Sequence, residues 1–471
     1  MNTQRATSFP PTIKEDLRSR LQEQLSRTLR DRSAKKIGNG RICWIRVEVE
    51  APALPPLLWL EAQPSATRIY WRDRERGGEV AGVGQVDRIY LRQPTSGIAE
   101  ALSRMKFPEE DFPSNLRYYG GFRFSHHHVP GGEWQPFAAA HLIVPRFELT
   151  VQGEMCRFAA NLCLDSRHPL EEHLQLFWQE FSSLVFDLPE TPPTRPRLWR
   201  RRDLPDFPQW ESMVQAVLQD FECGRLQKAV LARRTTLDFT APLSPMGLLQ
   251  QLQELNPGVF HFGFQFSSGA VFIGSTPERL YRREGNHILS EAVAGTRPRG
   301  ATPAEDRRLE RELLISDKEV REHRLVVESI RGTLQELCRV WEEDRRVSVL
   351  KLPRLQHLYA RIQGLLHEGV GDARILAALH PTPAVGGLPK EPALERIARL
   401  EPFDRGWYAG PVGWIRPDAA EFVVGIRSGL VQGEQLHLYT GAGIVPGSRP
   451  AREWQELETK MENFLKALNL T

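Results

Sequence analysis

Two sets of turn-linked apolar runs constrain this chain more than any other feature. VFHFGFQF and AVFIGST flank Ser267, Ser268 and Gly269, while EFVVGIRSGLV and QLHLYTGAGIV flank Gln432, Gly433 and Glu434. Runs joined so tightly pair as antiparallel hairpins, because a parallel connection needs a dozen or more residues. KAVLARRTTLDF and HILSEAVAG read as further strands. Helical patterns alternate with them: 210–222 ends at Gly224, 304–343 reads as one or two long charged helices, and 452–468 closes the chain. Hairpins alternating with helices predict an α+β fold rather than a doubly wound parallel sheet.

The N-terminal half is less regular. Residues 12–31 form an amphipathic pattern, with Ile13, Leu17, Leu21, Leu25 and Leu29 every four residues behind a T-x-x-E capping box at Thr12 and Glu15. Strand-like RICWIRVEVE and ATRIYWR follow, and 187–208 is rich in Pro and Arg, which marks a linker. The length of 471 residues suits two to four domains' worth of core at roughly 100–200 residues each.

Composition narrows the function. With Lys and Arg at 62 and Asp and Glu at 59, the net charge of +3 gives no support to nucleic-acid binding. Five cysteines without a C-x-x-C pair read as reduced thiols. No secretory signal and no run near the ~18 apolar residues of a membrane span are visible, so a soluble cytoplasmic protein is expected.

Several motifs have bland readings. Gly82-x-Gly84 lacks the rest of a dinucleotide fingerprint and reads as a turn. His126, His127 and His128 are consecutive and read as a polar loop. The E-x-x-E pairs are more informative. Glu319 and Glu322 lie three apart on one predicted helix, and Glu453 and Glu456 on another, with Lys460 a turn beyond. Each pair alone is most simply a solvated face; brought together, they would offer the oxygen-rich pocket that Mg²⁺ prefers. Lys228 opens an apolar strand, and Glu278 follows one directly. A strand-end lysine usually snorkels to the surface, but a desolvated one becomes a base, and a buried glutamate holds its proton for donation. The glycine-rich AVAGTRPRG and YTGAGIVPGS let backbone amides approach a carboxylate.

LQKAVLARR, GSTPERLYRREG, SEAVAGTRPRG, SDKEVREHRLVVESI, ALHPTPAVGGLPKE, DRGWYAGPVGW, EFVVGIRSG and LYTGAGIVPGSRPAREWQELETK, in that order, resemble the chorismate-utilising enzyme family over about half of the chain. Within it the sequence is most similar to the isochorismate synthases of menaquinone or phylloquinone formation. The resemblance implies two antiparallel sheets packed face to face with helices outside. Residues 1–200 would contribute strands and helices to the same body, and 201–471 would form the chorismate-binding catalytic region. It also implies an Mg²⁺-dependent isomerase. Lys228 matches the base that activates water for attack on C2 of chorismate, and Glu278 the acid that protonates the departing C4 hydroxyl. Glu322 and Glu456 match direct metal ligands, and Glu319 and Glu453 match holders of the metal's waters. Tyr408, Arg427 and the backbone of Gly441, Ala442 and Gly443 match the enolpyruvyl carboxylate site. Lys460 matches a lysine near the substrate carboxylate, while Thr296 and His380 match positions near the ring.

The resemblance also separates the alternatives. Anthranilate synthases usually carry glutamine at the place of Lys228, and aminodeoxychorismate synthases lysine at the place of Ala294, so no glutamine amidotransferase partner is expected. Salicylate synthase keeps both Lys228 and Glu278; Ala384, where salicylate-forming relatives tend to have threonine, favours isochorismate as the final product.

Overall fold

The computed structural model describes residues 12–33, 42–75, 77–92, 102, 112–125, 132–188, 196–267 and 269–470. Its strands build two sheets in which every pairing is antiparallel. The larger runs Ile42–Glu50, Met155–Asp165, Phe147–Gln152, Glu79–Val83, Arg68–Arg72, Phe260–Gln265, Val271–Thr276, Ser428–Gln432, Gln435–Ile444, Lys228–Phe239 and Gly387–Leu388, with Leu198–Leu204 also on Lys228–Phe239. The smaller includes Leu355–Leu366, His287–Pro298, Arg279–Glu284, Ala419–Val424, Pro411–Arg416 and Tyr118–Phe122 in that order. Strands from the first 200 residues thus sit beside later strands in both sheets.

The sheets face each other across an aromatic core. Phe262 and Phe272 come from the larger sheet, Tyr281 and Phe422 from the smaller, and Trp407 lies among them. Helices cover the outer faces. Helix Ile13–Ser33 is closed by the expected capping box, Thr12 N to Glu15 Oε2 at 3.0 Å and Glu15 N to Thr12 Oγ1 at 3.3 Å. It buries Leu17, Leu21 and Leu25 in a second core shared with Phe158, Phe181 and Met461.

The structure corrects four expectations. The 187–208 linker contains the strand Leu198–Leu204, which pairs with Lys228–Phe239; its prolines flank the strand rather than interrupt it. The charged helical stretch ends at Leu337, and Cys338–Glu343 is an edge strand, although nothing in its charge pattern breaks the helix. EFVVGIRSGLV is two strands, Ala419–Val424 in the smaller sheet and Ser428–Gln432 in the larger. The apolar run conceals a passage from one sheet to the other. Of the two glycines read as a turn, Gly82 lies within a strand and only Gly84 bends the chain. His126, His127 and His128 lie outside the described residues.

Candidate active site

A second sheet-to-sheet passage runs beside the first. Val271–Thr276 belongs to the larger sheet and Arg279–Glu284 to the smaller, so the chain crosses at Pro277 and Glu278. The two crossings are tied together by Val424 N to Glu278 O and Ser275 N to Arg427 O, both 3.0 Å. Glu278 and Arg427 are therefore held side by side where the sheets exchange strands. Arg427 has φ 50°, a left-handed conformation that non-glycine residues adopt sparingly and that concentrates at functional sites.

The crossings open onto a cavity of about 750 Å³, its mouth included. Glu278, Thr296, Glu319, Glu322, Ala384, Tyr408, Arg427, Gly441, Glu456 and Lys460 all line it. Helix Asp317–Leu337, packed on the smaller sheet, brings Glu319 and Glu322; helix Pro450–Ala467, packed on the larger, brings Glu453, Glu456 and Lys460. Lys318 bridges these helices through Glu453 at 2.8 Å. Lys228 is wholly buried at the start of its strand, with Nζ 2.9 Å from Glu322 Oε1. Glycine at 443 on the neighbouring strand leaves room for these groups: a Cβ there would lie 2.4 Å from Glu322 Oε1 and 3.3 Å from Lys228 Cε, so the Glu322 carboxylate would have to shift. At Gly295 the backbone itself favours glycine, with φ of +71° and a Cβ position 3.2 Å from Glu319.

Electrostatics differentiate the carboxyl groups. Burial pushes Glu278 up to about 8, against the opposing pull of Lys228 and Lys460, so its carboxyl keeps a proton near neutrality. Burial and the adjacent Glu322 raise Glu319; burial also raises Glu453 despite Lys318. Burial works the same way on Glu456, but Lys460, 2.6 Å away, holds it below the usual value. Lys460 also donates to Gly441 O at 2.7 Å, and Arg427 donates to Lys460 O at 3.3 Å.

Glu319, Glu322, Glu453 and Glu456 offer only carboxylate oxygens, the donor set of a hard cation. Glu453 Oε2 is buried without a hydrogen-bond partner. As the side chains stand, no group of three or more His, Cys, Asp or Glu among the described residues is gathered as an ion site. Arg297, Lys228, Lys318 and Lys460 each hold one of the four carboxylates. The residues fit a divalent ion in chemistry, with lysine and arginine charge now balancing them.

Residues 30–469 match the family model for chorismate binding enzymes. The chain belongs to the chorismate-binding enzyme family. It is 36% identical over 400 residues to the chloroplastic isochorismate synthase of Catharanthus roseus, covering 83% of this chain and 68% of that one. It is 31% identical over 421 residues to the isochorismate synthase MenF of Bacillus subtilis (strain 168), covering 86% and 88%. The solved structure of MenF, the menaquinone-specific isochorismate synthase from Escherichia coli, superposes with a TM-score of 0.81 at 30% identity, over 96% of this chain and 100% of that one.

Not every expected residue reaches the cavity of this family member. His380 is absent from its lining; its Nε2 is 2.9 Å from Phe124 O and its ring packs edge-on against Phe124. Burial lowers its pKa to about 3, so it is a neutral ring in the core. Lys228, Ala442, Gly443 and Glu453 are absent from the lining too; Lys228 is held by Glu322 and Glu453 by Lys318.

Other residues escaped sequence reasoning. His357 pairs across strands with Thr296, and its Nδ1 is 3.1 Å from both Gly295 O and Thr296 Oγ1. A carbonyl only accepts, so Nδ1 carries the proton and Nε2, buried without a partner, is left as an acceptor. Tyr439 stacks on Tyr408 with ring centroids 5.5 Å apart. His357 is a single histidine in LQHLYARIQG, and nothing in its local sequence marks it as a site residue.

Proposed function

We propose that this protein interconverts chorismate and isochorismate in quinone biosynthesis. The observation that carries the reading is Glu278, a glutamate kept protonated near neutrality on a cavity whose field includes the buried Lys228. Such a pair can run acid and base chemistry in one site. Lys228 takes the proton of the water that attacks C2 of chorismate. As the ring double bonds shift, Glu278 gives its proton to the C4 hydroxyl, which leaves as water. The reverse reaction exchanges the same two protons.

Arg427 and Lys460 bind substrate carboxylate, with Tyr408 and the backbone of Gly441, Ala442 and Gly443 shaping the enolpyruvyl end. Thr296 and Ala384 border the ring. Glu322 and Glu456 would hold Mg²⁺ directly, while Glu319 and Glu453 would hold its waters. When bound, the ion offsets the charge of the ring carboxylate. His380 has no substrate contact in this reading and supports the fold of its loop.

No helix among the described residues is long and apolar enough to cross a membrane. We read the enzyme as cytoplasmic, with its five cysteines outside any disulfide, and as acting without a glutamine amidotransferase.

The test is incubation of the purified protein with chorismate and Mg²⁺, with and without EDTA, followed by chromatography of the products. Isochorismate alone, lost with EDTA, is the expected result. Salicylate with pyruvate would make the protein a salicylate synthase and show that Ala384 does not stop the reaction. Absence of turnover would overturn the assignment.

A further inference from the structure

The crossing that carries Glu278 is gripped from outside the cavity by the N-terminal part of the chain. Arg74 lies in the turn after strand Arg68–Arg72, 203 positions before Pro277, and its side chain is only 9% exposed. One arm of its guanidinium, Nη1, donates to Pro277 O at 2.9 Å, the carbonyl immediately before Glu278. The other, Nη2, donates to Glu291 Oε1 at 2.7 Å. On the far side of Glu278, Arg279 is fully buried and reaches the same Glu291 oxygen at 2.7 Å, Glu421 at 2.9 Å and Glu75 at 2.8 Å. Both guanidinium groups lie 5.1 Å from the Phe260 ring centroid, so one aromatic ring buttresses the assembly. Tyr359 adds a third donor to Glu291 Oε1 at 3.0 Å.

This arrangement is costly. Charges taken out of water repay their desolvation only when fully paired, and apolar residues of similar volume would stabilise the core as well or better. Its geometry is specific, however: the residues on either side of Glu278 are each tied to Glu291, one through a carbonyl and one through a side chain. Glu291 stands on His287–Pro298, the strand that also bears Thr296. The clamp therefore fixes the acid's backbone relative to the cavity wall.

We propose that Arg74 is a positioning residue for Glu278, clamping the Pro277 carbonyl to Glu291 so that the carboxyl meets the leaving hydroxyl. The inference rests on the reading of Glu278 as the acid. A planar fork can serve two acceptors at once, whereas an ammonium is a single point of charge. Arg74 touches neither the carboxylate-binding groups nor the metal-binding glutamates, so substrate affinity is not its task.

The experiment is steady-state kinetics with chorismate and Mg²⁺ on the full chain, for wild type, Glu278→Gln, Arg74→Ala and Arg74→Lys, with a thermal melt for each. Displacing a reacting group by an ångström costs up to about a hundredfold in rate. Arg74→Ala is expected to lower kcat by roughly tenfold or more, with KM within about threefold of wild type. Arg74→Lys should fall between the two. If Arg74→Ala does not fold, Arg74→Lys decides, since it keeps the charge and should still lose kcat. Wild-type kcat in a folded Arg74 variant, or a loss carried wholly by KM, overturns the clamp. No turnover by wild type, or full turnover by Glu278→Gln, overturns instead the reading on which it rests.

Discussion

Glu278 couples chemistry to pH. Its folded value of about 8 stands above the ~4.3 of a free glutamate. Between those values the folded protein binds a proton that the unfolded chain has released. Stability contributed at this position is thus fullest at low pH and declines as pH rises through the window, by up to about 1.4 kcal/mol per unit. Glu278→Gln should abolish turnover and become progressively more stable than wild type between about pH 5 and 8, as denaturant titrations at several pH values would read. The kcat/KM profile of wild type should fall on the alkaline side near pH 8, where the acid loses its proton; a flat profile to pH 9.5 would count against Glu278 as donor. At Gly443 the matter is steric. Gly443→Ala places a methyl 2.4 Å from Glu322 Oε1, so it should raise the Mg²⁺ needed for half-maximal activity, as Glu322→Gln should. Mg²⁺ titrations that overlay wild type would remove Glu322 from the metal site.

At the scale of elements, local rules and packing divide the work. Helix Ile13–Ser33 is set by its leucine period and capping box, and its energy comes from the core it covers. Leu21 is fully buried, so Leu21→Ala should cost about 2–5 kcal/mol in a denaturant titration. The exposed cap is worth less: Thr12→Ala should cost about 1 kcal/mol. Both variants should keep the wild-type KM for chorismate, because this helix lines no part of the cavity. The two E-x-x-E helices show the reverse case. Their spacing places the carboxylates on one face, yet the faces meet only because each helix packs on a different sheet, where Lys318 then reaches from one helix to Glu453 on the other.

Over the whole molecule, the site exists because strands change sheets. The crossings at 277–278 and 425–427 are neighbours only when both sheets are complete, and strand Phe260–Gln265 has Arg68–Arg72 as its neighbour. Without residues 1–200 that strand would become a long apolar edge, and such edges aggregate. We therefore expect the fragment 201–471 to be aggregated or poorly folded by size-exclusion chromatography and circular dichroism; a monomeric, active fragment would show that the catalytic region stands alone.

Hairpin turns, helix periods, the capping box and the order of the glycine- and glutamate-bearing motifs were legible in the sequence, because each depends on residues a few positions apart. So was the meeting of Lys228, Glu278 and the two E-x-x-E helices at one place, through their setting in those motifs. The sheet to which each strand belongs was not legible. EFVVGIRSGLV is apolar on both sides of its crossing, where Arg427 is the one charge, and a core packed on both sides rewards apolar residues in either sheet. Nor did the sequence reveal that His380 turns to Phe124 while His357 lines the cavity, since both are single histidines among apolar neighbours. Arg74 is the extreme case: an arginine in a charged turn has no local mark, and its hold on Pro277 arises only when the tertiary fold closes a separation of 203 residues.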